Sequence, residues 1–107
     1  MDRLSQTRCP SHPGEILQGL YLDPLGLSID EFAKKISISP DIIAALVKEE
    51  ISITIDLALR FSQAFNTTPE LWLNLQRNLD LWKARRGDQT WRLIQPIQRQ
   101  ENSQQIV

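Results

Sequence analysis

The stretch SIDEFAKKISISPDIIAALV, residues 28–47, decides the fold. Ser28 followed three residues later by Glu31 is a capping box, in which hydroxyl and carboxylate each satisfy an unpaired N–H at a helix start. Phe32, Ala33 and Ile36 then point inward while Lys34 and Lys35 point out, so a short amphipathic helix begins at Ser28. Ser39 caps the next helix. Pro40 takes its first position, where a missing N–H is no loss, and Asp41 lies near the positive end of the dipole. Ile43, Leu46 and Val47 follow with the i, i+3, i+4 spacing of a buried stripe. Only Ser37 and Ile38 separate Ile36 from the cap Ser39. A turn of this length sets two helices at about 90–120° in a helix-turn-helix unit. Such a unit lays its second helix in the major groove of duplex DNA while the first crosses the backbone. Many small helical domains also contain tight helix pairs, so the pattern alone leaves both readings open.

Upstream, a first helix is expected from Pro13, capped by Ser11 or His12, with Ile16, Leu17 and Leu20 on its inner face and its end near Pro24 and Gly26. Downstream, Thr54 caps a fourth helix whose apolar side is Leu57, Ala58, Phe61 and Phe65. Thr68, followed by Pro69 and Glu70, caps a fifth that reaches about Arg86. One face of the fifth is expected to carry Leu71, Leu75, Leu79 and Trp82. Trp72, Leu73 and Leu81 spill onto other faces, which points to deep burial or a covering partner. The run ISITI, residues 51–55, alternates but is too short to read as a strand.

The 107 residues suit one domain, and 41% apolar with 23% charged is ordinary for a globular chain. The single cysteine, Cys9, excludes an internal disulfide and fits a reducing compartment. The longest apolar run, Ile42 to Val47, is far short of the roughly 20 residues of a membrane span. The start MDRLSQTRCP has no apolar core of a signal peptide. A cytoplasmic protein with no membrane partner is expected. The net charge of −1 argues against generic nucleic-acid binding, but the charge is uneven. Residues 28–57 hold six acids and three bases, whereas residues 77–99 hold six bases and two acids. The basic region can hold phosphates or an acidic partner, or simply be solvated.

Other constellations carry little chemistry. Cys9 and His12 have the spacing of half a zinc site, with no second pair to complete it, and His12 has no evident nucleophile or orienting carboxylate to serve. Glu49 and Glu50 are adjacent, so they point apart and suit no acid–base dyad. Trp72, Trp82 and Trp91 can stack on bases, but core or interface roles fit Trp72 and Trp82 better, and Trp91 sits in a short segment that ends at Pro96, read as an edge strand or a final half-helix. No catalytic set, metal site or cofactor is expected.

Four segments carry a family resemblance: HPGEIL at 12–17, LDPLGLS at 22–28, FAKKISIS at 32–39 and DLALRFSQAFNTTPELWLNLQRNLDL at 56–81. Together they resemble the HigA branch of the XRE-type helix-turn-helix proteins, the antitoxins of toxin–antitoxin modules. The resemblance implies an all-α, five-helix bundle of the lambda-repressor-like type. Its expected division is an N-terminal arm at 1–11 (flexible), the helix-turn-helix domain at 12–86 and a basic, polar extension at 87–107. It also implies a homodimer that binds and represses its own operator and neutralises a HigB-type toxin, a RelE-like ribonuclease acting on messenger RNA. The protein itself is then no enzyme and takes no small-molecule substrate.

Carried over by position, the DNA-binding residues are Ser28, Ile29, Ser39, Pro40, Asp41, Ala44, Ala45, Lys48 and Ser52. Base readout favours forked donors and acceptors, and on the third helix only Lys48 offers one. Relatives carry Gln at the position of Ile29. They read Asn-Gly-Lys-Arg where this chain has Lys48-Glu49-Glu50-Ile51, so a glycine cap is absent and two acids stand near the phosphate path. Trp72, Leu73, Leu79, Trp82, Arg85 and Trp91 are the expected dimer or toxin surface. The alternative is an interaction module of the same fold with weakened DNA binding.

Overall fold

The computed structural model describes residues 8–98, and within them the secondary structure is all helical. The outer parts of the arm at 1–11 and the extension at 87–107 lie outside the described residues. The first helix, α1, has three segments: Pro13–Ile16 and Asp23–Leu25 in α geometry, with the π-helical Leu17–Leu22 between them. Then come α2 (Ile29–Ile36), α3 (Pro40–Val47), α4 (Ile55–Phe65), α5 (Pro69–Arg86) and a single 3₁₀ turn at Thr90–Leu93. Trp91 therefore lies in a short 3₁₀ helix, the helical and not the edge-strand form of the two expected for its segment.

Every expected cap forms. His12 Nδ1 accepts from Gly14 N–H. Ser28 Oγ accepts from Glu31 N–H while Glu31 Oε1 accepts from Ser28 N–H. Thr54 and Thr68 cap α4 and α5 through Leu57 and Leu71. The ends of α1 to α4 share one device that the sequence shows only at Gly26, whereas α5 ends at Gly87 without it. Gly26, Ser37, Glu49 and Asn66 are all left-handed, with φ of 68°, 60°, 64° and 57°. Each sits inside a six-to-one backbone bond: Leu27 N–H to Leu22 C=O, Ile38 to Ala33, Glu50 to Ala45 and Thr67 to Ser62. These are Schellman closures, which satisfy carbonyls that the helix leaves open.

The core gathers Leu17, Leu22, Phe32, Ile43, Leu46, Phe61 and Trp72, all buried. An aromatic cluster ties four helices together: Phe32 stacks on Phe65 at 5.2 Å, Trp72 meets Phe61 edge-on at 5.0 Å, and Tyr21 lies 4.4 Å from Phe65. Trp72 Nε1–H donates to Thr67 Oγ1 at 3.0 Å, so the buried indole leaves no unpaired donor.

Two expected faces shift. Leu20 is 64% exposed, while Leu17 and Leu22 are buried. The i→i+5 bonding of the π segment, with Asp23 N–H on Gln18 C=O, places Leu22 inward in place of Leu20. On α5 the buried positions are Trp72, Gln76 and Leu79, with Leu71 exposed. The large indole occupies the core and rotates the buried stripe about one residue from the Leu71 row.

Candidate nucleic-acid interface

The α2–turn–α3 unit is held from outside by Arg60 of α4. Its Nη1 donates to the Ile36 carbonyl at 2.7 Å, at the very end of α2, while its Nε is paired with Asp56 at 2.9 Å. The sequence exposes the Asp56–Arg60 pair as an i, i+4 spacing, but nothing in it signals the reach to Ile36. Behind α3, Gly14 brings α1 so close that an added Cβ would stand 1.9 Å from the Leu46 carbonyl oxygen. Only a residue without a side chain allows this crossing. With Ile43 and Leu46 buried, the opposite side of α3 carries Asp41, Ala44, Ala45 and Lys48, of which the two alanines are half-buried and the others exposed. The structure thus brings together the expected groove-facing residues, with Pro40 and Ser39 exposed at the helix start.

The helix starts differ in what they offer a phosphate. In α2 the N–H groups of Ser28 and Glu31 are used by the capping box, and those of Ile29 and Asp30 remain open among the described residues. Ile29 itself is half-buried against the core, so its contribution is backbone and not side chain. In α3 Pro40 has no N–H, Asp41 N–H goes to Ser39 Oγ at 3.3 Å, and Ile42 and Ile43 go to the Ser39 carbonyl. At the start of α3 the Ser39 N–H alone donates no hydrogen bond among the described residues, so the backbone there offers a phosphate one donor, against two in α2. Charge is equally mixed: Lys48 shares this surface with Asp41, Glu49 and Glu50, all exposed. Glu31 is held below the usual glutamate range, chiefly by the Ser28 N–H and then by the Ser28 hydroxyl, with desolvation opposing them and Lys35 adding the least.

The loop between α3 and α4 has a definite shape. Glu49 takes the left-handed conformation that glycine would adopt without strain. Beyond it Ile51 and Ser52 are exposed and Ile53 is buried. His12 Nε2 bonds the Ile51 carbonyl at 3.1 Å, and Ile53 N–H donates to Gln76 Oε1 at 2.8 Å. Sequence reading placed His12 at a cap only, and Gln76 drew no attention because it sits among leucines on an apparently ordinary helix.

The expected partner surface divides. Trp72 and Leu79 are 0% and 3% exposed and belong to the core, which removes both from any contact surface. Trp82, Arg85 and Trp91 line one groove together with Arg8, Arg86 and Arg92, none of it from α2 or α3. Arg86 covers the Trp82 ring at 4.4 Å and Arg92 the Trp91 ring at 5.0 Å. Leu73 instead lines a second groove with Ile53, Gln76, Asp80, Leu81 and Ala84. Among the described residues no group of three His, Cys, Asp or Glu gathers as a metal site, and no helix is long and apolar enough to cross a membrane.

Two short helices joined by a tight turn, the second exposed along one face, define a helix-turn-helix DNA-binding fold. Comparison with known proteins places it further. The helix-turn-helix family model HTH_3 matches residues 20–72. An uncharacterised HTH-type transcriptional regulator of Haemophilus influenzae is 41% identical over 76 residues, 71% of each chain. Antitoxin GraA in complex with its operator superposes with a TM-score of 0.76 at 34% identity, over 84% of this chain and 93% of that one. Pseudomonas aeruginosa antitoxin HigA with the higBA promoter gives 0.75 at 32% identity, over 83% and 99%. The chain belongs to the HTH-type transcriptional regulators, in the branch that holds the HigA antitoxins.

Proposed function

We propose that this chain is the antitoxin of a type II toxin–antitoxin module, a sequence-specific autorepressor that also neutralises a HigB-type, RelE-like mRNA-cleaving toxin. The carrying observation is that relatives of this fold, GraA and HigA, are seen on their operator or promoter DNA at TM-scores of 0.76 and 0.75. It acts in the cytoplasm as a binding protein and not as an enzyme. In this reading α3 enters the major groove with Asp41, Ala44, Ala45 and Lys48 toward the bases. The open N–H groups of Ile29 and Asp30 at the positive end of α2 take a phosphate, as Lys48 and Ser52 do from the far side. Two copies present their α3 helices about 34 Å apart, one turn of duplex.

Leu73, Trp82, Arg85 and Trp91 remain as the dimer or toxin surface. Exposed Leu93, Ile94 and Ile97, next to Trp91, support a covering partner at that end. The arm at 1–11 and the extension at 87–107 flank the DNA-binding domain at 12–86. A second reading, an interaction module with weakened DNA binding, is favoured by one observation: Lys48 shares α3 and the loop after it with three exposed carboxylates, Asp41, Glu49 and Glu50.

Fluorescence anisotropy on a duplex from the chain's own promoter, against scrambled duplex at two salt concentrations, separates the two. A preference of about 10³ or more that weakens with salt supports the repressor. Equal or absent binding transfers the function to partner binding. Within the repressor reading Lys48→Ala weakens binding and lowers the salt slope by about one. An unchanged affinity across the salt series removes Lys48 from the interface.

A further inference from the structure

The loop between α3 and α4 carries no regular structure from residue 51 to residue 54, yet two buried polar side chains distant in sequence grip it on either side of Ser52. His12, 5% exposed, comes from the start of α1, and Gln76, 8% exposed, from the middle of α5. Each is already fixed by a second partner. Gly14 N–H donates to His12 Nδ1 at 2.9 Å, so that nitrogen holds a lone pair and the ring proton sits on Nε2. Nε2–H is then a donor, and it meets the Ile51 carbonyl. Gln76 Nε2 donates to Asp80 Oδ1 at 3.0 Å, which settles the amide orientation and turns Oε1 toward Ile53 N–H. Both His12 ring nitrogens are thus bonded, and Gln76 has its carbonyl oxygen committed to the loop and an amide N–H to Asp80. Burying two polar groups in this way is unfavourable unless both are fully bonded, and here the loop backbone supplies the bonds.

We propose that His12 and Gln76 are positioning residues for DNA binding: they clamp Ile51 and Ile53 and so fix where Ser52, Lys48 and the acids before it stand relative to the phosphate backbone. This rests on the operator-binding reading above. The clamp compensates for what α3 lacks. With one cation and a left-handed Glu49, affinity depends on the loop being held before DNA arrives, since ordering it on binding would consume free energy. Ile53 and Gln76 also line the groove beside Leu73 and Leu81, so the loop and the side of α5 assigned to a partner share an anchor.

The test uses substitutions that separate the clamp from the cap and the core. His12→Asn keeps an excellent N-cap acceptor for Gly14 N–H but is too short to reach Ile51. Gln76→Met keeps the volume and removes the acceptor, whereas Gln76→Glu combined with Asp80→Asn keeps an acceptor for Ile53 N–H and a donor opposite it at position 80, where Gln76→Glu alone would set two carboxylates 3.0 Å apart. Full-length variants are first shown to be helical by circular dichroism. Promoter affinity is then measured by anisotropy, and amide hydrogen exchange of Ser52 and Ile53 by NMR. The expected result is that His12→Asn and Gln76→Met bind about tenfold more weakly, lose protection at Ile53 and keep it in the helices, while the Gln76→Glu, Asp80→Asn pair stays within about threefold of wild type. Helical variants that bind the promoter as tightly as wild type overturn the proposal, as does loss of exchange protection throughout α1 and α5, which marks a purely structural role. A wild-type chain that ignores its promoter defeats the operator reading instead, and the exchange data then show whether the clamp itself exists.

Discussion

Replacing Gly14 by alanine adds one methyl group where α1 crosses the end of α3. That Cβ would lie 1.9 Å from the Leu46 carbonyl oxygen, 2.6 Å from its carbon and 3.0 Å from the Val47 Cα. All three are backbone atoms, so no side-chain rotation relieves the clash, and Cβ atoms essentially never approach closer than 3.0 Å. The helices must therefore separate by roughly 1 Å, an overpacking that typically costs about 1–3 kcal/mol. The movement also stretches the His12 bond to Ile51, built on the same turn, which adds about 1 kcal/mol. A total of about 2–4 kcal/mol lowers Tm by about 10 °C or more for a domain of this size. Gly19 supplies the internal control. Nothing lies within 4 Å of a Cβ built there, and its φ is not left-handed. Gly19→Ala should therefore raise stability by about 0.5–1 kcal/mol, since alanine loses less backbone freedom in a helix. Thermal melting followed by helical circular dichroism, with urea unfolding alongside, compares the two variants with wild type. A Gly14→Ala protein melting within about 2 °C of wild type, or both substitutions moving Tm the same way, would refute the close-packed crossing of α1 on α3.

At Glu49 the left-handed backbone disfavours any residue with a Cβ by about 1–2 kcal/mol, so Glu49→Gly should stabilise the fold by up to about 1 kcal/mol after the greater freedom of the unfolded glycine is offset; a lower urea midpoint contradicts this. Combined with Glu50→Lys it should also tighten promoter binding, and weaker binding in the anisotropy titration would mean that these acids make a favourable contact. Trp72→Ala, which empties the centre of the aromatic cluster, should cost about 3–5 kcal/mol in equilibrium unfolding; a loss under 1 kcal/mol would place the indole outside the core. Glu31 is held below its ordinary range in the folded chain, so its contribution is fully present above the unfolded glutamate value, declines as pH falls below it and is gone once pH passes the lowered folded value. A Glu31→Gln variant should remove that acid-limb dependence, and identical acid melting curves for variant and wild type would exclude the capping box as its source.

Helix starts were legible because they are local. Ser28 with Glu31, Ser39 with Pro40, Thr54 and Thr68 with Pro69 each encode their own cap within a few residues, and the short turn between α2 and α3 follows from the distance between two such signals. Helix ends were legible at Gly26 and near Arg86 but not at Ser37, Glu49 and Asn66, which adopt left-handed backbones without the residue that advertises one. The buried stripe of α3, with Ile43 and Leu46, followed from its period, and its groove-facing positions from the family resemblance. The interior of α5 did not, because its apolar residues surround the helix and periodicity cannot choose among them. Packing chose Trp72, Gln76 and Leu79.

By itself, then, the sequence determined the helices, their order and the helix-turn-helix unit, all of which depend on contacts between residues at most about four apart. The tertiary structure alone decided which residues reach across the chain. Arg60 closes the end of α2 from 24 positions away, Gln76 holds Ile53 across 23 and His12 holds Ile51 across 39. No local pattern encodes such bonds. A lone arginine, glutamine or histidine looks the same in sequence whether it faces water or a distant carbonyl, and only the packing that excludes water makes its one partner obligatory.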